Sequence, residues 1–251
     1  MKLYKNKRIG KVIIIAEGAR HEFSLAKKIF VDVLGYTQIE KRRNCARFYI
    51  RKKDPHSVVA VVNTRTSNIA SINENEYLDE IFEGLIEQYG FDIDNAAIYY
   101  LFDRDPESNK DTRLITNLIA KLQNSRENYD NLRGGMMILS YPSIEAYEIS
   151  HFVDESFQLK MRLGSEAKKY INQNSSAVSI NKISGESIVH AAVEMRRFLE
   201  EREIDIDFDN FSDINSAVFM REESYLHEEG SFRLLSMFSC VLMDLGVLLE
   251  Y

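Results

Sequence analysis

Cysteine, proline and long apolar runs are scarce in this chain. Its two cysteines, Cys45 and Cys240, stand far apart and in no metal-like spacing, which argues against a zinc site and against a disulfide framework. A reducing, cytoplasmic setting is the expectation. Three prolines and eleven glycines in 251 residues leave little room for disordered linkers. The longest uncharged run near the C-terminus, Leu234 to Met243, falls well below the ~18 residues that a membrane span requires. The basic opening residues lead straight into a strand-like run, too short for a signal-peptide core followed by a cleavage site. A net charge of −7 disfavours broad nonspecific nucleic-acid binding.

What is present is an ordinary globular composition, 45% hydrophobic and 28% charged. The length suits an α/β core over residues 1–155 and a smaller, mostly helical region over 156–251. Lys11 to Gly18 begins with a β-branched run without alternation, as in a central strand covered on both faces, and ends in Glu17-Gly18. His21 to Leu34 follows with helical spacing. Two strand-like runs, Ala46–Arg51 and Ser57–Asn63, flank a polar loop. Glu76–Tyr89 and Thr112–Leu122 read as helices around the apolar strand Ala96–Phe102. Gly134–Ser140 is a further strand, and Tyr141–Phe152 a helix with Pro142 in its first turn. Alternating strands and helices imply right-handed crossovers and a mainly parallel sheet. Beyond residue 155 strand signals fade, and Gly185–Glu201 and Ser231–Leu249 read as helices. The apolar Phe232–Leu249 stretch would serve a homo-oligomer or a core equally well.

Three strand ends carry acids: Glu17, the pair Asp103 and Asp105, and Glu145 just past the Gly134–Ser140 strand. Ligands bind beyond the carboxyl ends of strands in open α/β sheets. At i and i+2 the two aspartates leave one side of an extended chain roughly 6.5 Å apart, and neighbouring strands lie about 4.8 Å apart. Glu17, Asp103, Asp105 and Glu145 are thus expected to cluster around one or two Mg²⁺ or Mn²⁺ ions, for which hard oxygen ligands are suited. Such ions activate water in phosphodiester cleavage. Duller readings are capping and turn roles for the same acids. His21 and Glu22 read as surface residues, and His151, His190 and His227 as structural. Lys41, Arg42, Arg43, Arg47, Arg51, Lys52 and Lys53 crowd one segment. Arg47, Arg51, Lys52 and Lys53 suit a nucleic-acid backbone, although an exposed edge strand guarded by charge has the same pattern.

Taken together, Ile13-Ile-Ile-Ala-Glu17-Gly18 and Tyr100-Leu-Phe-Asp103-Arg-Asp105 resemble the two signatures of the topoisomerase-primase (TOPRIM) family. Leu139-Ser-Tyr-Pro-Ser-Ile-Glu145-Ala-Tyr-Glu-Ile-Ser-His151-Phe152 resembles a segment of its RloB-like and OLD-type branch, with Tyr147 in place of a Trp. The resemblance covers roughly residues 10–153. It implies a TOPRIM-like fold and a metal-dependent nuclease cleaving DNA or RNA, with Glu17, Asp103, Asp105 and Glu145 as catalytic and metal residues. It also implies a setting in bacterial defence against phage beside an ABC or SMC-like ATPase. No phosphate-binding glycine loop with Lys is present, so that ATPase would be a separate chain. The alternatives are a haloacid dehalogenase-like phosphatase, which also uses Asp-x-Asp after a strand, and a non-catalytic interaction subunit.

Overall fold

The computed structural model describes residues 1–39, 46–64, 68–73, 75–91, 93, 95–126 and 134–250. Lys41, Arg42, Arg43 and Cys45 lie outside the described residues. After the short β1 (Lys2–Leu3), the chain forms β2 (Lys11–Ala16), then α1 (His21–Lys27), which runs on as a wider π-helical stretch, Lys28–Val33. Next come β3 (Thr37–Ile39), β4 (Ala46–Arg51) and β5 (Asp54–Asn63), followed by α2 (Asn75–Tyr89), β6 (Ala97–Asp103), α3 (Thr112–Lys121), β7 (Met136–Tyr141) and α4 (Glu145–Ser150). The second part holds β8 (Lys160–Met161), α5 (Gly164–Gln173), α6 (Gly185–Glu200) and α7 (Phe211–Glu229), then β9 (Phe232–Arg233), β10 (Leu235–Ser236), α8 (Phe238–Asp244) and β11 (Leu248–Leu249).

The architecture is α/β. Among the described residues the central sheet has seven strands in the order β10-β7-β6-β2-β5-β4-β3. The middle strands β7, β6, β2 and β5 run parallel, whereas β3, β4 and β10 pair antiparallel at the edges. The parallel strands are the continuous apolar runs. Val12 to Ala16, Ala97 to Phe102 and Met136 to Tyr141 are all buried, since helices cover both faces of such a sheet. Each buried Ile of β2 contributes about 1.5–3 kcal/mol relative to its exposed state.

Three expectations are corrected by this architecture. The stretch Ser231–Leu249 is no single helix: it breaks into β9, β10, α8 and β11, and β10 joins the central sheet beside β7. The helix expected over Tyr141–Phe152 spans only Glu145–Ser150, and Pro142, joined to Tyr141 by a cis peptide bond, precedes it. Third, β4 is covered by β3 and is no edge strand.

Helix α7 packs over β7 and β9 with polar groups in the interface. Asn215 donates to the Met137 carbonyl at 3.0 Å, and the fully buried Glu222 accepts from the Arg233 backbone N–H at 2.8 Å while its Oε1 has no hydrogen-bond partner among the described residues. Burial pushes the Glu222 carboxyl up to about 8; the Arg233 N–H, Arg202 and Arg233 oppose the shift and Glu223 adds to it. A carboxyl whose folded value lies above the unfolded 4.5 binds more protons in the folded state between the two. Its stabilisation is present at low pH and lost as pH rises from about 4.5 to 8, an effect of up to about 5 kcal/mol. Glu222→Gln is therefore expected to be more stable than wild type at pH 8.5 and about equal to it at pH 5. Denaturant unfolding of both proteins at the two pH values measures this, and a difference independent of pH would contradict it.

Candidate metal centre

The parallel register brings the ends of β2, β6 and β7 to one edge. Ala16 pairs with Leu101 and Asp103 with Ser140, so Glu17, Asp103 and the turn leading to Glu145 emerge side by side, at the carboxyl ends where ligands bind in such sheets. They line a cleft of about 780 Å³. α1 begins directly after the Glu17-Gly18 turn and sets His21 and Glu22 on the same cleft, and α5 supplies Lys168. His21 and Glu22, read from sequence as surface residues, thus line the cleft beside the acids. The physical reason is the shortness of the turn, which leaves the first helical turn of α1 directly above the strand ends.

Glu17 is buried and closely held. Its Oε2 accepts from the Asp103 backbone N–H at 2.9 Å, and Asn109 Nδ2 approaches its two oxygens at 3.4 and 3.2 Å. Asn109 also donates to the Asp103 carbonyl at 2.6 Å and accepts from the Ile69 N–H at 3.0 Å. This buried asparagine ties the β2 and β6 ends together and was not legible in sequence, where it is one polar residue in a polar turn. Asp103 Oδ1 accepts from the Ile144 N–H at 2.8 Å. Glu145 accepts from Ser143 Oγ at 2.7 Å, and its other oxygen lies 3.7 Å from Lys168 Nζ and 4.0 Å from His21 Nδ1. Glu148, one turn on, faces His21 Nε2 at 3.2 Å.

Desolvation and like charge dominate the electrostatics. Burial raises the Asp103 carboxyl well above the usual range, and the charges of Glu17, Glu145 and Glu22 raise it further, against one lowering bond from Ile144. Burial likewise lifts Glu17 to about 7, with the Asp103 N–H and Asn109 opposing and Glu22 and Asp105 adding to the rise. Glu148 is raised by burial, an effect that His21 reduces. Such a group of acids is stabilised by a cation. Hard carboxylate oxygens at a water-accessible cleft fit Mg²⁺ or Mn²⁺, which keep several waters.

Asp105 does not belong to this arrangement. Its Oδ1 accepts from the Glu107 N–H at 2.9 Å and its Oδ2 from the Gly164 N–H, the first residue of α5, at 2.8 Å. β6 ends at Asp103, so the two aspartates do not share an extended chain, and Asp105 is spent on a turn and on a helix start. Nor do oxygens of three of the four predicted acids lie within 4.8 Å of one another; among the described residues the group that does is Asp154, His190 and Glu194. Asp105→Asn is accordingly expected to destabilise the fold by about 1 kcal/mol and to change cation affinity less than about fivefold, as read by calorimetric titration with Mn²⁺.

The predicted basic surface is also redistributed. Arg51 donates to the carbonyls of Lys7 at 2.8 Å, Leu34 at 3.3 Å and Lys5, and lies over the Tyr36 ring at 5.0 Å. It pins the N-terminal segment to the sheet and is not offered to a ligand. Arg47 lies over Phe23 at 5.4 Å and donates to the Ala46 carbonyl at 3.4 Å. Lys52 and Lys53 are exposed in the β4–β5 turn, and none of the four lines the cleft.

No helix among the described residues is long and apolar enough to cross a membrane. No family model matches the chain, and no curated protein matches it. Among solved structures, Campylobacter jejuni 5'-methylthioadenosine/S-adenosyl homocysteine nucleosidase is found at 15% identity over 84% of this chain and 96% of that one, with a TM-score of 0.22. That nucleosidase activity differs from the metal-dependent nuclease expected from the motifs, and the nuclease reading is not carried further. At that TM-score the likeness carries neither a fold nor an activity over to this chain.

Proposed function

We propose that the cleft binds one divalent cation of the Mg²⁺ or Mn²⁺ type on Glu17 and Asp103, with Glu145 contributing through a bound water, and that the protein uses it to act on an anionic, phosphate-bearing ligand. The observation that carries this reading is the cleft at the strand ends, which Asp103 lines together with Glu17, Glu22 and Glu145, its Oδ1 accepting from the Ile144 N–H at 2.8 Å. The order of the two TOPRIM-like motifs supports the same ligands. A bound ion of this type would supply charge neutralisation for such a ligand.

The chain's own residues divide the remaining work. Asn109 and the Asp103 N–H hold the Glu17 carboxylate in place. Ser143 orients Glu145. Lys168, with Arg20 at the rim, places positive charge along the wall facing the acids, where an anionic group bridging ion and wall would be neutralised from both sides. Calorimetric titration with Mn²⁺ in the presence and absence of inorganic phosphate tests the reading. Saturable binding of one equivalent, strengthened by phosphate and weakened by Lys168→Ala, is expected. Mn²⁺ binding that ignores both phosphate and Lys168 would remove the phosphate-bearing ligand from the reading.

A further inference from the structure

A second group of metal-ligating side chains lies away from the cleft. Asp154 stands in the turn after α4, and His190 and Glu194 are four residues apart on α6, hence on one helix face. Their ligand atoms lie within 4.8 Å of one another. His190 Nδ1 is 2.8 Å from the Ser150 carbonyl oxygen and Nε2 is 2.9 Å from Asp154 Oδ1. A carbonyl only accepts, so the Nδ1 proton is committed to Ser150 and Nε2 is the nitrogen turned toward Asp154. An imidazole fixed by an Nδ1–H to a backbone carbonyl, with Nε2 toward the ion, is the arrangement that orients histidine ligands in metal sites. Glu194 is buried and its position is set before any ion arrives: Oε2 accepts from Ser156 N at 2.8 Å and Oγ at 3.4 Å, and Oε1 accepts from Arg197 Nη1 at 3.0 Å. Asp154 is the opposite, 90% exposed and in contact with His190 through its Oδ1. The set is one imidazole, one buried carboxylate and one carboxylate open to water.

We infer that Asp154, His190 and Glu194 form a second cation site, of the borderline type that takes Zn²⁺, with water completing the coordination. One nitrogen and two oxygens suit Zn²⁺ better than Mg²⁺. Cysteine spacing argued against a zinc site, but this set uses no thiolate. Its role is structural: Ser150 is the last residue of α4, so an ion on Asp154 and α6 ties down the C-terminal end of the helix that carries Glu145 and Glu148. The site is independent of the proposed function of the cleft.

The test is titration of the full chain with Zn²⁺, followed by calorimetry and by thermal unfolding, in wild type, Asp154→Asn, His190→Asn and Asp103→Asn. Asp154 is exposed, so its variant tests ligation without disturbing the core. One equivalent of Zn²⁺ is expected to be lost or weakened at least tenfold in Asp154→Asn and at least a hundredfold in His190→Asn, and retained in Asp103→Asn; Zn²⁺ raises the melting temperature of wild type but not of His190→Asn. Binding that is unchanged in both the Asp154 and His190 variants, or that disappears only in Asp103→Asn, overturns the inference, as does the absence of saturable Zn²⁺ binding. In those cases the trio is an imidazolium between two carboxylates and nothing more.

Discussion

Asp103→Asn is expected to weaken Mn²⁺ binding at least a hundredfold, about 2.7 kcal/mol, while making the metal-free protein more stable by about 1–2 kcal/mol. Both effects have one cause. In the metal-free fold the Asp103 carboxylate is desolvated beside Glu17, Glu145 and Glu22, and an amide of the same shape carries no charge to be repelled. It keeps an oxygen to accept the Ile144 N–H that Asp103 Oδ1 accepts at 2.8 Å. With the charge removed, the cation loses a ligand and the remaining acids lose part of their mutual repulsion. Thermal unfolding in EDTA and calorimetry with Mn²⁺ read the two effects separately. A variant less stable than wild type in EDTA would mean that Asp103 is a structural hydrogen-bonding group, not a carboxylate kept for a ligand.

The second large effect lies behind the site. Arg104, between the two aspartates, is buried: its Nε and Nη2 make a two-pronged contact with Glu223 at 2.7 and 2.8 Å, its Nη1 donates to the Asn109 carbonyl at 3.0 Å, and it lies between the rings of Phe219 and Phe232 at 5.8 and 5.6 Å. One side chain therefore ties the β6 end and the Asn109 loop to α7. Arg104→Ala is expected to cost about 3–5 kcal/mol, because it leaves Glu223 without its counter-charge and opens a gap between the rings. Lysine would not substitute, since it lacks the planar fork. The double variant Arg104→Met with Glu223→Met is expected to lose clearly less than Arg104→Ala, as both charges leave together and apolar bulk fills the space. Urea unfolding of the three proteins provides the comparison; a double variant as unstable as Arg104→Ala would show that the cost comes from lost hydrogen bonding at Asn109, not from a stranded charge.

The central strands were legible because β2, β6 and β7 are apolar runs without alternation, and burial on both faces leaves no other reading. Glu17 and Asp103 followed from them, as each stands where such a run stops. Asp105 did not. Spacing at i and i+2 places two side chains on one face only if the chain stays extended, and here turn chemistry took over at once, giving Asp105 two backbone N–H groups to accept. His21 and Glu22 were set aside as surface residues, since sequence does not show how tightly a helix follows a strand end. The C-terminal stretch was misread for a different reason. Short apolar runs carry no period that separates strand from helix, and Leu235-Ser236 became a strand because β7 offered an open edge. The buried Asn215 and Glu222 on the inner face of α7 similarly blurred its period and hid a helix of 19 residues. Arg47 and Arg51 show that a basic strand is not evidence of a ligand surface until the carbonyls and rings near it are known.

The most direct measurement is an anomalous difference map from crystals soaked in Mn²⁺. A peak is expected in the cleft at bonding distance, about 2.0–2.5 Å, from oxygens of Glu17 and Asp103, with Glu145 reaching the ion through a water and Asp105 still on the Gly164 N–H. A cleft without a peak at saturating Mn²⁺, or a peak bound by Asp105 and not by Glu17, would contradict it.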